Sequence, residues 1–120
     1  GCRIPGQGLY IMDTPSGACE SMTGLCAGGA AVILFSTGVG HPLGSPISPT
    51  IKICANSRTV GMMQSEIDFD ASGVLAGTCS IRECGARLWE ELLAVAGGKR
   101  VCSEILGQVE TAITRTAPSI

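Results

Sequence analysis

The stretch Ala31–Thr50, AVILFSTGVGHPLGSPISPT, decides how the rest of this chain is read. Ala31 to Phe35 is an apolar run suited to a buried strand, and it empties into Ser36-Thr37-Gly38-Val39-Gly40-His41. A loop carrying Pro42, Pro46 and Pro49 comes next. A buried strand that ends in hydroxyls, glycines and the chain's only histidine is how α/β proteins place a polar site at the carboxyl edge of a sheet. The glycines let backbone N–H groups approach an anion closely, and the prolines shape the loop without regular structure. This bend is the leading candidate site.

At 120 residues the chain is long enough for a single domain with one modest core. Aromatic residues make up 3% of it, so the core has to be aliphatic. Charged residues make up only 15%, and the mean hydropathy is +0.37. An independent soluble domain usually carries more charge, so either the sheet is covered on both faces or, the favoured reading, something outside this chain covers part of its surface. A formal charge of −2 gives no electrostatic reason to expect nucleic acid or an anionic membrane as partner. No apolar stretch reaches the roughly 18 residues of a transmembrane helix, and the start lacks the pattern of a secretory signal. Residues 1–7 read as a linker or boundary remnant. The seven cysteines are odd in number and none are spaced C-x-x-C, which favours reduced thiols and a cytoplasmic protein.

The order of local signals predicts alternating strands and helices. Gly8 to Met12 reads as a first strand, with Asp13 or Thr14 as cap and Pro15 opening a helix over 18–27 that Gly28-Gly29 end. Ala31 to Phe35 is then the second strand of a parallel βαβ unit. Thr50 to Cys54 is a third strand, Asn56 or Ser57 caps a helix over about 58–64, and Ile67 to Phe69 is a short fourth strand. Residues 71–79 read as a turn-rich connection. Ser80-Ile81-Arg82-Glu83 is a capping box that opens the clearest helix, with Ile81, Cys84, Leu88, Leu92 and Val95 at helical spacing, widened by Trp89 and Leu93. Val101 to Gly107 suggests a further turn of helix, and Val109 to Ile113 an edge strand. The expected architecture is a three-layer, Rossmann-like α/β domain with a mainly parallel sheet of about four strands and flanking helices.

Several chemistries fall away. Gly38-x-Gly40-x-x-x-Gly44 comes after a strand, but its last spacing is one residue too long for a dinucleotide fingerprint and prolines stand where the helix should open. No phosphate-binding loop of the G-x-x-x-x-G-K-[ST] type exists. Other residues carry two readings. His41 is a loop residue or a general acid/base or metal ligand beside the Thr37 hydroxyl. Lys52, between Ile51 and Ile53, is a solvated edge position or an inward cation for a substrate carboxylate. Asp13 is a helix cap or a group facing the same sheet edge as Thr37. Asp68 and Asp70 fit a solvated turn, and Cys79 and Cys84 fit core thiols better than a metal pair.

Read together, residues 8–59 resemble the C-terminal region of the altronate/galactarate dehydratase family. The resemblance rests on Gly8-Leu9, Met12-Asp13-Thr14-Pro15, Glu20, Thr23-Gly24-Leu25, Phe35-Ser36-Thr37-Gly38, Gly40, Pro42, Gly44, Pro49, Lys52 and Asn56. The IDFDASGVL segment, the S-I-x-E-C-G helix start and the A-G-G-K-x-x-x-E-I-L-G turn extend it to about residue 110. Ser36, Val39 and His41 depart from the usual pattern, the last two where arginine and a small polar residue are common. The resemblance implies that residues 8–120 are the C-terminal α/β domain of a longer hydro-lyase. That enzyme would remove water from a sugar acid of the altronate or galactarate type, with a divalent metal, expected to be Fe2+. It also implies the remaining domains of the same enzyme and a homo-oligomer as partners. On this reading His41 and Lys52 are catalytic, and Asp13, Thr37, Gly38, Gly40 and Asn56 bind substrate; no metal ligands can be assigned. The alternatives are a sulfo-lyase of the same family, whose elimination expels sulfite instead of water, and a non-catalytic scaffold or oligomerisation domain.

Overall fold

The computed structural model describes residues 1–15 and 17–113; residues 114–120, the end of the expected domain, lie outside them. Its elements are α1 (Ala18–Ala27), β1 (Ile33–Ser36), β2 (Thr50–Cys54), α2 (Ser57–Met62), β3 (Phe69–Asp70), α3 (Ser72–Leu75), α4 (Ile81–Ala96) and α5 (Cys102–Leu106). The three strands form one parallel sheet in the order β1-β2-β3. Ile33 pairs with Thr50, Ser36 with Ile53, and Ile53 in turn with Phe69. The sheet is therefore centred on β2, where Thr50, Ile51, Lys52 and Cys54 are all fully buried.

Alternation along the strands separates two cores. Ile51 and Phe69 pack with Cys84 and Val95 of α4 and with Val101, and Ile53, Leu88 and Leu92 adjoin them. On the opposite face Ile33 packs with Met22 of α1 and Leu43, and Cys19, Cys26 and Phe35 adjoin. Helices on both faces of a parallel sheet give the α/β layering that the sequence predicts. The spacing of α4 decides its place: Ser80 accepts from the Glu83 N–H at 3.2 Å, and the Glu83 carboxylate accepts from the Ser80 N–H at 2.9 Å. Gly97 and Gly98 come directly after the last turn. The outer rim of its apolar stripe stays open, with Ile81 78% and Trp89 58% exposed.

Three expectations are corrected. Residues 8–12 form no strand; Leu9 and Ile11 are almost fully exposed, and Tyr10 folds back to donate to the Gly6 carbonyl at 3.2 Å. A short apolar run becomes a strand only when a neighbouring edge receives its N–H and C=O groups, and here none does. Neither Asp13 nor Thr14 caps α1, whose N-cap is Gly17; the Thr14 hydroxyl instead meets that of Ser21 at 3.2 Å. Residues 109–113 form no strand either, and Val109 makes only an isolated bridge to Gly44. The sheet thus has three strands among the described residues. The strand–helix–strand unit is β2-α2-β3, whereas β1 reaches β2 through the irregular loop 37–49. Serines pin that loop: Ser45 Oγ accepts from the Ile47 and Ser48 N–H groups, and Ser48 Oγ donates to the Ala30 carbonyl at 2.5 Å.

Candidate functional site at the carboxyl edge of the sheet

Parallel strands end together, so the residues just beyond β1 and β2 lie side by side. The Thr37 N–H continues the ladder to the Ile53 carbonyl at 2.9 Å and carries β1 one residue past its last paired position. Beyond it lies a cavity of about 320 Å³ lined by Ser36, Thr37, Gly38, Ile53, Ala55, Asn56 and Leu75. Three sequence-predicted residues, Thr37, Gly38 and Asn56, thus share one hollow.

Asn56 serves two structures at once. Its Oδ1 accepts from the N–H groups of Arg58 (3.1 Å) and Thr59 (3.4 Å), capping α2. Its Nδ2 donates to the Gly38 carbonyl at 3.1 Å, which leaves one amide hydrogen for a ligand. The Thr59 hydroxyl donates to the same carbonyl at 2.9 Å. Thr59 escapes a reading of sequence alone, although its place three residues after an Asn cap is a signal that puts it on the first turn of α2. The N–H groups of Gly38, Val39 and Gly40 meet no acceptor among the described residues. A Cβ built on Gly38 would face open space. At Gly40 the backbone is left-handed, φ 82°, and a Cβ would strike Met63 Sδ and stand 3.0 Å from Thr59 Cγ2.

The remaining predicted residues lie around the hollow rather than in it. His41 is half-buried, its Nδ1 accepts from the Leu43 N–H at 3.1 Å, and its ring stands edge-on to Phe35 with centroids 5.7 Å apart. That bond fixes the proton of the neutral ring on Nε2, the one ring atom left to face a ligand. Lys52 has no exposed surface and sits on the sheet face opposite Ile53; its Nζ donates to the Pro42 carbonyl at 3.1 Å. Burial lowers its pKa below the ordinary 10.5, against the opposing pull of Asp68, Cys102 and Glu66. Asp68 braces this face: its carboxylate accepts from the Lys52 N–H at 2.9 Å and the Cys102 N–H at 2.6 Å. Burial, helped by Asp68, pushes the Cys102 thiol up to about 11. Asp13 is exposed and lines a separate hollow with Arg3, Tyr10 and Gly24.

The donor set bears on a metal. Among the described residues no three His, Cys, Asp or Glu side chains come together as a bound ion requires. The described residues by themselves therefore do not fit a resident divalent ion. All seven cysteines are free. Among the described residues no helix is long and apolar enough to cross a membrane.

Fold and geometry together define an α/β domain with a polar hollow at the carboxyl edge of a parallel sheet. The particular assignment comes from comparison: residues 1–119 match the family described as D-galactarate/altronate dehydratase, C-terminal, and the chain belongs to it. It is 44% identical over 110 residues to the (2R)-sulfolactate sulfo-lyase subunit beta of Chromohalobacter salexigens, covering 92% of this chain and 28% of that protein. It is 31% identical over 104 residues to an altronate dehydratase of Escherichia coli, covering 87% of this chain and 21% of the relative. The L-threo-forming galactarate dehydratase of the same organism is 31% identical over 100 residues, which is 83% of this chain and 19% of the relative. The chain therefore spans between 19% and 28% of the length of these relatives.

Proposed function

We propose that this domain supplies the anion-binding edge of a lyase that eliminates a leaving group beside a carboxylate in a small 2-hydroxy acid. The convergence of Thr37, Gly38 and Asn56 on one cavity supports this reading. The Thr37 hydroxyl and the N–H groups of Gly38 to Gly40 receive the carboxylate, and the spare Asn56 amide hydrogen meets a neighbouring oxygen. In the reaction the proton α to the carboxylate leaves, its electron pair forms a C=C bond, and the bond to the β-substituent breaks. His41 Nε2–H donates a hydrogen bond to the departing group, which leaves with the electron pair of the broken bond and takes its proton from solvent, and the enol product tautomerises. Lys52, beneath the Pro42 carbonyl, places the loop that carries His41. The base and any divalent metal, with Fe2+ the proposed ion, belong to the remaining domains of the enzyme, which also carry the Asp13 segment to the substrate. We place that enzyme in the cytoplasm as a homo-oligomer.

Two leaving groups fit this scheme. Sulfite is favoured by the higher identity to the sulfo-lyase subunit, 44% against 31% for the dehydratases, and water is favoured by the family description. The full-length enzyme is to be given (2R)-sulfolactate, altronate and galactarate, with release of sulfite and formation of 2-keto acid measured separately. Sulfite from the first and little keto acid from the others is expected; the reverse pattern makes the enzyme a hydro-lyase. Residues 1–120 alone, supplied with ferrous iron, are expected to turn over none of the three. Alanine variants of Thr37, Lys52 and Asp13 that leave turnover intact while dissolving the oligomer would mark the domain as a scaffold instead.

A further inference from the structure

We propose that Thr59 is a positioning residue of the anion cradle, acting through the Gly38 carbonyl; the assignment rests on the cradle described above. Thr59 is 8% exposed, so its hydroxyl is not available to a ligand. It spends its proton on the Gly38 carbonyl at 2.9 Å, and Asn56 Nδ2 donates to the same oxygen at 3.1 Å. A carbonyl with both lone-pair directions occupied cannot rotate, and a trans peptide carries its C=O and N–H antiparallel. Pinning the Gly38 oxygen against α2 therefore aims the Val39 N–H away from α2, to where no described residue accepts it. The cradle is oriented before ligand arrives, so binding does not have to meet the cost of ordering a glycine-rich bend. Gly40 extends the clamp, because only a residue without Cβ lets the loop close onto Thr59 and Met63.

The test uses the full-length enzyme with Thr59→Val, which keeps shape and removes the donor, and Thr59→Ser, which keeps the donor. Affinity for lactate, a 2-hydroxy carboxylate with no β leaving group, is read by calorimetry, and kcat and KM are read with the substrate that the wild type turns over. Thr59→Val is expected to weaken lactate binding and raise KM by about 3- to 10-fold with kcat little changed, the loss of one net hydrogen bond. Thr59→Ser is expected to recover most of both. A Thr59→Val enzyme within about twofold of wild type in both measurements overturns the assignment, as does a loss that Thr59→Ser fails to recover. Should Thr59→Val not fold, Thr59→Ala is read by the same criteria. A wild type that binds lactate but turns over none of the substrates removes the proposed reaction and leaves Thr59 to be judged on binding. A wild type that does not bind lactate contradicts the cradle and Thr59 together.

Discussion

The ammonium of Lys52 and the carbonyl of Pro42 are joined at 3.1 Å, from the centre of the sheet to the far side of the polar bend. A lysine on the middle strand with no exposed surface gives up hydration to hold a loop in place. Lys52→Met should keep the volume and release the loop. Two effects oppose in its stability, one lost hydrogen bond and one relieved buried charge, so at neutral pH the net change is expected to be about 1 kcal/mol or less. The pH dependence is sharper. Because burial lowers the Lys52 pKa from 10.5, folding is penalised while the folded lysine is charged, and the penalty fades as pH rises. Urea denaturation should show wild type gaining on Lys52→Met as pH approaches 10.5.

Cys102 has the opposite sign. Its thiol pKa is raised from 9.0 to about 11, so its contribution is fully present below pH 9 and is lost as pH climbs toward 11. Melting temperatures measured at intervals across that window should fall faster for wild type than for Cys102→Ala. Parallel curves would mean that burial, with Asp68 beside it, does not hold the thiol protonated.

Asn56 separates folding from binding. Asn56→Ala removes the cap of α2 and one donor to Gly38, and should cost about 1–2 kcal/mol in denaturant. Asn56→Asp keeps an oxygen for the Arg58 and Thr59 N–H groups but sets a carboxylate against the Gly38 carbonyl and any bound anion. It should retain more of the stability and bind lactate, a 2-hydroxy carboxylate, less well than Asn56→Ala.

Gly40→Ala should destabilise the loop, since a left-handed backbone and the Met63 thioether both exclude a methyl group. The contact with Met63 is with the end of a flexible side chain, so adding Met63→Ala should recover part of the loss while the backbone cost, about 1 kcal/mol, remains. Complete recovery would show that φ at Gly40 is unimportant.

The legible parts of the sequence were those with local causes. The Ser80–Glu83 box, the helical spacing to Val95 and the strand Thr50–Cys54 each carry their own signal, and each stands where it is expected. The meeting of Thr37, Gly38 and Asn56 was legible too, because parallel strands bring their ends to one edge. Residues 8–12 misled because their apolar pattern says nothing of whether a neighbouring edge exists. Lys52 was ambiguous because alternation names a face without naming what covers it; the covering loop is set by contacts such as Ser48 with Ala30 that span many residues. Asp68 looked like a turn carboxylate, and its two backbone partners come from β2 and α5, far apart in the chain.

The most direct test of the cradle is the KM of the full-length enzyme for (2R)-sulfolactate, measured by sulfite release, in wild type and Thr37→Val. Removing the hydroxyl should raise KM by about 3- to 10-fold with the fold intact. An unchanged KM in a variant that melts like wild type would place the substrate's carboxylate somewhere other than the end of β1.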